Sequence, residues 1–134
     1  MVYEFKFDSL VNYDAGVPGI SISVELRLKD SSVTILAKVD TGSDSCIFSR
    51  ECGERLGFEI ESGERQTFGT ATGSFISYGH QVTLVTAGFS FDSTVFFAHD
   101  EAFSLNVLGR FGWLDRIIIG INDYDGKLYL SPYE

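Results

Sequence analysis

Asp40 is the residue of this 134-residue chain whose type and surroundings are best suited to chemistry. It opens the tetrapeptide Asp40-Thr41-Gly42-Ser43, in which a small hydroxyl residue and a glycine follow a carboxylate. Such a sequence lets the backbone turn sharply and bring N–H donors towards the carboxylate, which can then act as a general acid or base. The same tetrapeptide suits an ordinary β-turn, so by itself it leaves a purely structural role open.

The segments that must position this tetrapeptide have the pattern of strands. Apolar residues alternate along 20–28 and again along 33–39, with a polar turn at 29–32. This pattern predicts a hairpin that delivers the chain to Asp40. After the tetrapeptide, Ser49 and Gly57 are suited to begin and end a short helix.

Period-two alternation also dominates the rest of the chain. Tyr3, Phe5 and Phe7 predict a first strand, and residues 81–87 and 89–98 predict two more. A second short helix is predicted around 111–116, and a closing hairpin turns about residues 123–126. The expected fold class is therefore all-β, meaning mostly β with one or two short helices. Residues 1–19 are expected to be an N-terminal extension or edge strand before a single domain at 20–134.

The combination of Asp40-Thr41-Gly42 after an apolar strand with Val107-Leu108-Gly109 before an arginine resembles the retropepsin-like aspartic peptidases. This family includes retroviral proteases and small single-lobed bacterial relatives. The resemblance implies one lobe of a retropepsin-like acid-protease barrel, with Asp40 as the catalytic aspartate. It also implies that Thr41 and Gly42 brace two active-site loops against each other, and that Ser43 takes the place of the usual Ser or Ala.

The same resemblance implies roles for residues outside the tetrapeptide. Val107, Leu108 and Gly109 match the strand that passes behind the catalytic loop in a ψ shape. Asp44 and Arg110 match two residues that commonly form a charge pair near the substrate backbone. Residues 68–78 look like the flap, the hairpin that covers the substrate. Its residues around the tip are Gly69, Thr70, Ala71, Thr72, Gly73, Ser74 and Phe75.

The chain departs from the family pattern in three places. Phe111 follows Arg110 where relatives usually have Asn or Asp, and the expected flap tip, Thr72-Gly73-Ser74, is polar. Residues 1–19 have no obvious counterpart. These departures bear on substrate preference and on the geometry of assembly.

The function that the resemblance implies is that of an aspartic endopeptidase, with water activated between two carboxylates. Only one Asp-Thr-Gly is present, so a homodimer that brings two Asp40 side chains together is the simplest way to complete the site. The expected substrate is a peptide or unfolded protein, and neither a cofactor nor a metal is required. One alternative is a catalytically silent dimerisation or peptide-binding module of the same fold. Another is an unrelated small β-barrel that contains Asp-Thr-Gly by chance.

The composition of the chain excludes several classes of partner. The formal net charge of −9 disfavours nucleic acid and anionic membrane surfaces as partners. No run approaches the ~20 apolar residues of a membrane span, and charges near the N-terminus argue against a signal peptide, so a cytoplasmic protein is expected. Cys46 and Cys52 are interpreted as buried thiols, and His80 and His99 lack a metal-binding spacing.

Overall fold

The computed structural model describes residues 1–133, and in them the chain is mostly β-structure, as predicted. Ten strands are accompanied by one α-helix and two 3₁₀ turns. The strands are β1 Ser9–Asn12, β2 Ser21–Leu28, β3 Ser31–Val39, β4 Ile47–Phe48, β5 Glu64–Thr70, β6 Gly73–Thr86, β7 Phe89–Ala98, β8 Val107–Leu108, β9 Ile117–Asn122 and β10 Lys127–Pro132. The helix, α1, is Arg50–Leu56, and the 3₁₀ turns are Ile60–Ser62 and Leu114–Arg116.

Seven strands form the main sheet, in the order β2-β3-β8-β4-β7-β6-β5. An additional pairing of β2 with β6, between Val24 and Thr86 among other partners, closes this sheet into a barrel. The predicted β2–β3 hairpin is present, with Ser21 opposite Lys38 and Leu28 opposite Ser31. The alternation of apolar residues along β2 sets which face of the strand points into the barrel, because Ile22, Val24 and Leu26 are buried while their neighbours are not.

The core lies inside the barrel and under α1. Each large apolar side chain buried there contributes roughly 1.5–3 kcal/mol through removal from water. Its largest fully buried members include Trp113, Phe48, Phe97, Leu26, Leu84, Leu108, Leu128 and Leu130. Because β4 and β8 are short and wholly buried, this core holds the strand that follows the Asp40 loop and the strand that passes behind it.

The first strand was predicted in the wrong place. It occupies Ser9–Asn12 at the edge of a small sheet ordered β1-β10-β9, whereas Tyr3 and Phe5 are exposed. Pairing with β10 begins only at Ser9, although the Ser131 hydroxyl of that strand still donates a hydrogen bond to the Lys6 carbonyl at 3.0 Å. The Phe7 ring packs on the small sheet, with its centroid 5.8 Å from that of Tyr129, and the exposed Phe5 ring stacks on Phe7 at 6.4 Å.

Of the two predicted helices, the first is present and the second is not an α-helix. Helix α1 begins after Ser49 and ends at Gly57, whose φ of 99° is the left-handed conformation that favours glycine. The Ser49 hydroxyl makes no cap hydrogen bond and instead lies 3.2 Å from the Cys52 thiol. The helix predicted around 111–116 is only the 3₁₀ turn Leu114–Arg116, because Trp113 leaves helical geometry to fill the core.

The cysteines and histidines lie mostly where they were expected. Cys46 and Cys52 are buried free thiols, and His99 is exposed beside Asp100. His80 was expected on a solvated hairpin, but it is half-buried with its Nε2 atom 2.9 Å from the Ile60 carbonyl oxygen. Among the helices of residues 1–133, none has the length and apolar character needed to cross a membrane.

Candidate active site

Asp40 stands at the end of β3, where the backbone turns. The Gly42 amide donates a hydrogen bond to the Asp40 carboxylate at 3.0 Å, and the Ser43 amide donates to the Asp40 carbonyl at 3.1 Å. The carboxyl group is half-buried, and within residues 1–133 no cationic side chain forms an ion pair with it. The Gly42 amide therefore orients this carboxylate, which remains available for acid–base chemistry.

Strand β8 lies between the two strands that enter and leave the Asp40 loop. It runs parallel to β3, with Val39 opposite Leu108, and antiparallel to β4, with Ile47 opposite Val107. The Asp40 amide donates to the Leu108 carbonyl at 3.0 Å. The two motifs are therefore side by side in a ψ-shaped crossing, which a chance Asp-Thr-Gly turn in an unrelated barrel would not produce.

Gly109 allows this close crossing. A Cβ atom there would overlap the Ser45 carbonyl oxygen and lie 2.7 Å from the Ser43 carbonyl oxygen. Both obstacles are backbone atoms of the Asp40 loop itself, and neither can rotate away. The next residue, Arg110, donates its amide to that Ser43 oxygen at 2.8 Å. Glycine is thus required for the loop and the strand behind it to touch.

We expect Gly109→Ala to lower the free energy of unfolding by at least ~2 kcal/mol, because the loop and β8 must separate. Gly69→Ala is the matched control. Gly69 lies in an exposed strand with nothing near the position of a Cβ atom, so its change should stay within ~0.5 kcal/mol. Urea unfolding of both variants measures the difference. Equal stability of Gly109→Ala and the unmodified protein would contradict the close crossing.

Cys46 supports the same crossing, a role that the sequence analysis did not assign. Its thiol accepts a hydrogen bond from the Gly109 amide at 3.4 Å and lies 3.6 Å from the Phe111 carbonyl oxygen. Burial raises the pKa of this thiol to about 11, so it stays protonated and can donate to that carbonyl. One feature of the sequence indicated this role: Cys46 lies in the apolar segment that follows the Asp40 loop.

Two residues that the resemblance links do not form an ion pair. Among the described residues no ion pair joins Asp44 to Arg110, and both side chains are exposed. Arg110 instead places its guanidinium carbon 5.5 Å from the centroid of the Phe111 ring, a cation–π contact. Phe111 is one of the positions at which the chain departs from the family pattern, and its ring offers the guanidinium a partner.

A hairpin formed by β5 and β6 faces the Asp40 loop. Thr70 pairs with Gly73, so the turn residues are Ala71 and Thr72, one position earlier than the predicted tip. Residues 69–74 are all exposed. Between this hairpin and the loop lies a groove of about 260 Å³. It is lined by Asp40, Ser43, Ile47, Phe68, Gly69, Thr70, Phe75, Phe103, Leu105 and Val107.

The third wall of the groove is the segment 99–106, here called the wall loop. Its first residue, His99, has its Nδ1 atom 2.9 Å from a Glu61 carboxylate oxygen, and Arg50 donates to Glu61 at 2.8 Å. Arg50 also donates to the His99 carbonyl at 3.2 Å. Because Glu61 lies three residues before the start of the hairpin strand β5, this ion-pair cluster joins the base of the hairpin to the wall loop.

Glu61 gives this cluster a pH dependence. The Arg50 guanidinium, with help from His99, lowers the pKa of Glu61 from 4.5 to about 2. Its contribution to stability is therefore full above pH ~4.5 and is lost as the pH falls towards 2. We expect Glu61→Gln to be less stable than the unmodified protein at pH 6, with the difference shrinking below pH 4. Thermal unfolding across this range measures it, with Glu59→Gln as control, and a pH-independent difference would contradict the assignment.

No group of three His, Cys, Asp or Glu side chains in residues 1–133 is arranged to hold an ion. What the geometry offers is one oriented carboxylate per chain, set at the edge of a largely apolar groove. An exposed Thr41-Gly42 turn lies next to it.

Comparisons with known proteins agree with the family resemblance seen in the sequence. The sequence profile described as aspartyl protease matches residues 24–121. A retropepsin-like aspartic protease from Rickettsia conorii has a similar fold, with a TM-score of 0.64 and 20% identity over 91% of this chain and 96% of that one. EIAV protease complexed with the inhibitor HBY-793 superposes with a TM-score of 0.57 and 19% identity, over 75% and 88% of the two chains. No curated protein sequence matches significantly.

Proposed function

Since the chain belongs to the aspartyl protease family, we propose that it is an endopeptidase whose catalytic residue is Asp40. The observation that carries this proposal is the half-buried Asp40 carboxylate, oriented by the Gly42 amide and placed in the groove beneath the hairpin. An extended peptide is the substrate. Ser43, which lines the same groove, and Asp44 beside it then lie along the path of the peptide backbone.

The active form is a homodimer. One chain supplies one carboxylate, whereas water activation in this family needs two. The Thr41-Gly42 turn is exposed beside Asp40, and this is the surface through which a twofold-related copy would place its own Asp40 opposite the first. Thr41 and Gly42 would then brace the two loops across the axis.

The chemistry follows from two carboxylates that share one proton. The ionised Asp40 removes a proton from the water, whose oxygen attacks the carbonyl carbon of the peptide. The protonated Asp40 of the other subunit donates to the carbonyl oxygen. As the C–N bond of the tetrahedral intermediate breaks, the carboxyl group that took the proton from water gives it to the leaving amine. The other carboxylate takes a proton from a hydroxyl group of the intermediate as the carbonyl forms again, so that the pair again shares one proton. The hairpin residues 69–75 act as a flap that covers the peptide and excludes water.

Cleavage of a denatured protein over acidic to neutral pH tests the proposal. Two like carboxylates in contact cannot both ionise readily, so one pKa of the pair is raised and the active form exists between the two macroscopic values. We expect a bell-shaped profile with an acidic maximum, measured as peptides by mass spectrometry. A rate that keeps rising into alkaline pH would contradict the shared proton. Peptide binding without any cleavage would favour the silent module.

A further inference from the structure

A second hollow, here called the end pocket, lies along β7 away from the Asp40 loop. Its volume is about 390 Å³, and it is lined by Phe89, Phe91, Asp115, Arg116, Pro132 and Tyr133. The level of the Asp40 loop on β7 is marked by Phe96, which pairs with Ile47 of β4, itself opposite Val107 behind that loop. Phe89 and Phe91 precede Phe96 by several residues, which places the pocket roughly 20 Å along the strand from that level.

The floor of the end pocket is aromatic. Phe89 and Phe91 are alternate residues of β7 and share the face on which Val95 and Phe97 are buried in the core. Unlike those two, Phe89 and Phe91 are only half-buried. The inward row of β7 therefore ends in two rings that the chain does not fully cover, and an incoming aromatic side chain can pack against them.

The backbone beside these rings is also open. Strand β7 pairs with β6 along its whole length, whereas on its other side it pairs with β4 only at Phe96 and Phe97. Within residues 1–133 no strand pairs with that other side at positions 89–92. The unpaired N–H and C=O groups of a strand edge can accept an extended segment as an added strand. The end pocket is therefore suited to an extended peptide.

Arg116 brings a positive charge to the rim of the end pocket. Its guanidinium carbon lies 5.8 Å from the centroid of the Phe91 ring, and its side chain is 45% exposed. The neighbouring Asp115 accepts the Gly112 amide at 3.0 Å, and the same carboxylate oxygen is 3.8 Å from the Arg116 Nε atom. That distance is too long for a hydrogen bond. The guanidinium can therefore donate to a carboxylate of a bound segment.

We propose that the end pocket is a docking site for an extended segment of another protein, with an aromatic residue two positions from an acidic one. Alternate side chains of an extended segment point the same way and stand ~6.7 Å apart. This spacing is close to the 5.8 Å between the Arg116 guanidinium and the Phe91 ring. One side chain then packs on the two rings while the other pairs with Arg116. The site does not depend on the proposed function, because the described residues that line it are not those of the Asp40 groove.

The charged contact is tested by isothermal titration calorimetry with the capped peptide Gly-Ser-Phe-Ser-Glu-Ser-Gly. Asp40→Asn protein is used so that the peptide stays intact. Arg116→Gln in the protein, or Gln for Glu in the peptide, should each weaken binding ~3- to 10-fold. Both changes together should weaken it no more than either alone, because they remove the same contact. Arg55→Gln, at an exposed arginine in the last turn of α1, is the matched control and should bind as before.

The aromatic contact is tested with the peptide that carries Ala in place of Phe, whose affinity should be at least ~10-fold lower. Equal peptide affinity with and without Arg116→Gln, or no binding at millimolar peptide, would overturn the proposal. Phenylpropionate that binds as tightly as the peptide would also overturn it, since a small aromatic acid would then be the ligand. Dimers that Arg116→Gln dissociates in sedimentation, without peptide binding, would assign the end pocket to a second copy instead.

Discussion

Asp40→Asn is expected to reduce kcat for peptide cleavage by ~10²–10⁴-fold, the usual contribution of a general acid–base group. The substitution removes the ionisable group and little else. Asparagine has nearly the same shape, and its side-chain oxygen can still accept the Gly42 amide that Asp40 accepts at 3.0 Å. The local turn should therefore persist, and the loss should lie in the chemical step rather than in folding.

The measurement is cleavage of one defined peptide by purified variants, together with thermal unfolding of each. Asp30→Asn serves as the matched control, because Asp30 is an exposed turn residue at the far end of the β2–β3 hairpin. It should retain full activity. If Asp40→Asn cleaves as fast as the control while both fold normally, Asp40 is not the catalytic carboxylate.

Mixing the unmodified protein with an equal amount of Asp40→Asn protein should lower its activity by more than dilution alone would. If each site needs one Asp40 from each of two chains, only dimers of two unmodified chains are active. An equal mixture allowed to exchange should then retain about one quarter of the activity that the same total of unmodified chains would show. A site complete within one chain would retain about one half instead, because the variant chains would only dilute the others.

The same dimer makes activity depend on concentration. The rate per chain should fall on dilution, most steeply where monomer dominates, and sedimentation over the same series should show the change in mass. The excess of acidic over basic side chains, 19 against 10, opposes association as the pH rises, so the midpoint of dissociation should move to higher concentration. A chain that remains monomeric at full specific activity would contradict the shared site.

Local patterns in the sequence predicted much of the barrel. Alternation gave the correct faces of β2 and β3, because the period of a strand is local and does not depend on its partners. Gly57 ended α1 for an equally local reason, since its left-handed conformation is cheap only for glycine. The same rule failed at residues 3–7. Alternation there is as clear, but a strand also needs a continuous ladder with a neighbour, and the ladder with β10 begins only at Ser9.

The prediction of a helix around 111–116 was wrong because of how Trp113 packs. Trp113 is fully buried in the core, and its indole nitrogen lies 3.5 Å from the Thr86 hydroxyl. Placing that large ring inside the barrel outweighs one turn of helix, whose nucleation alone is unfavourable. The sequence showed an aromatic residue in a short helical pattern and could not show which of the two demands would prevail.

By itself the sequence determined which reactive group the chain has, namely a single Asp-Thr-Gly carboxylate at the end of an apolar strand. Only the tertiary structure decided what surrounds it. Gly109 must touch the loop that holds Asp40, and Phe103 must stack on Phe75, though 69 and 28 positions separate these pairs along the chain. Such contacts carry no local period, because they arise when the barrel closes and the core fixes which loops face each other.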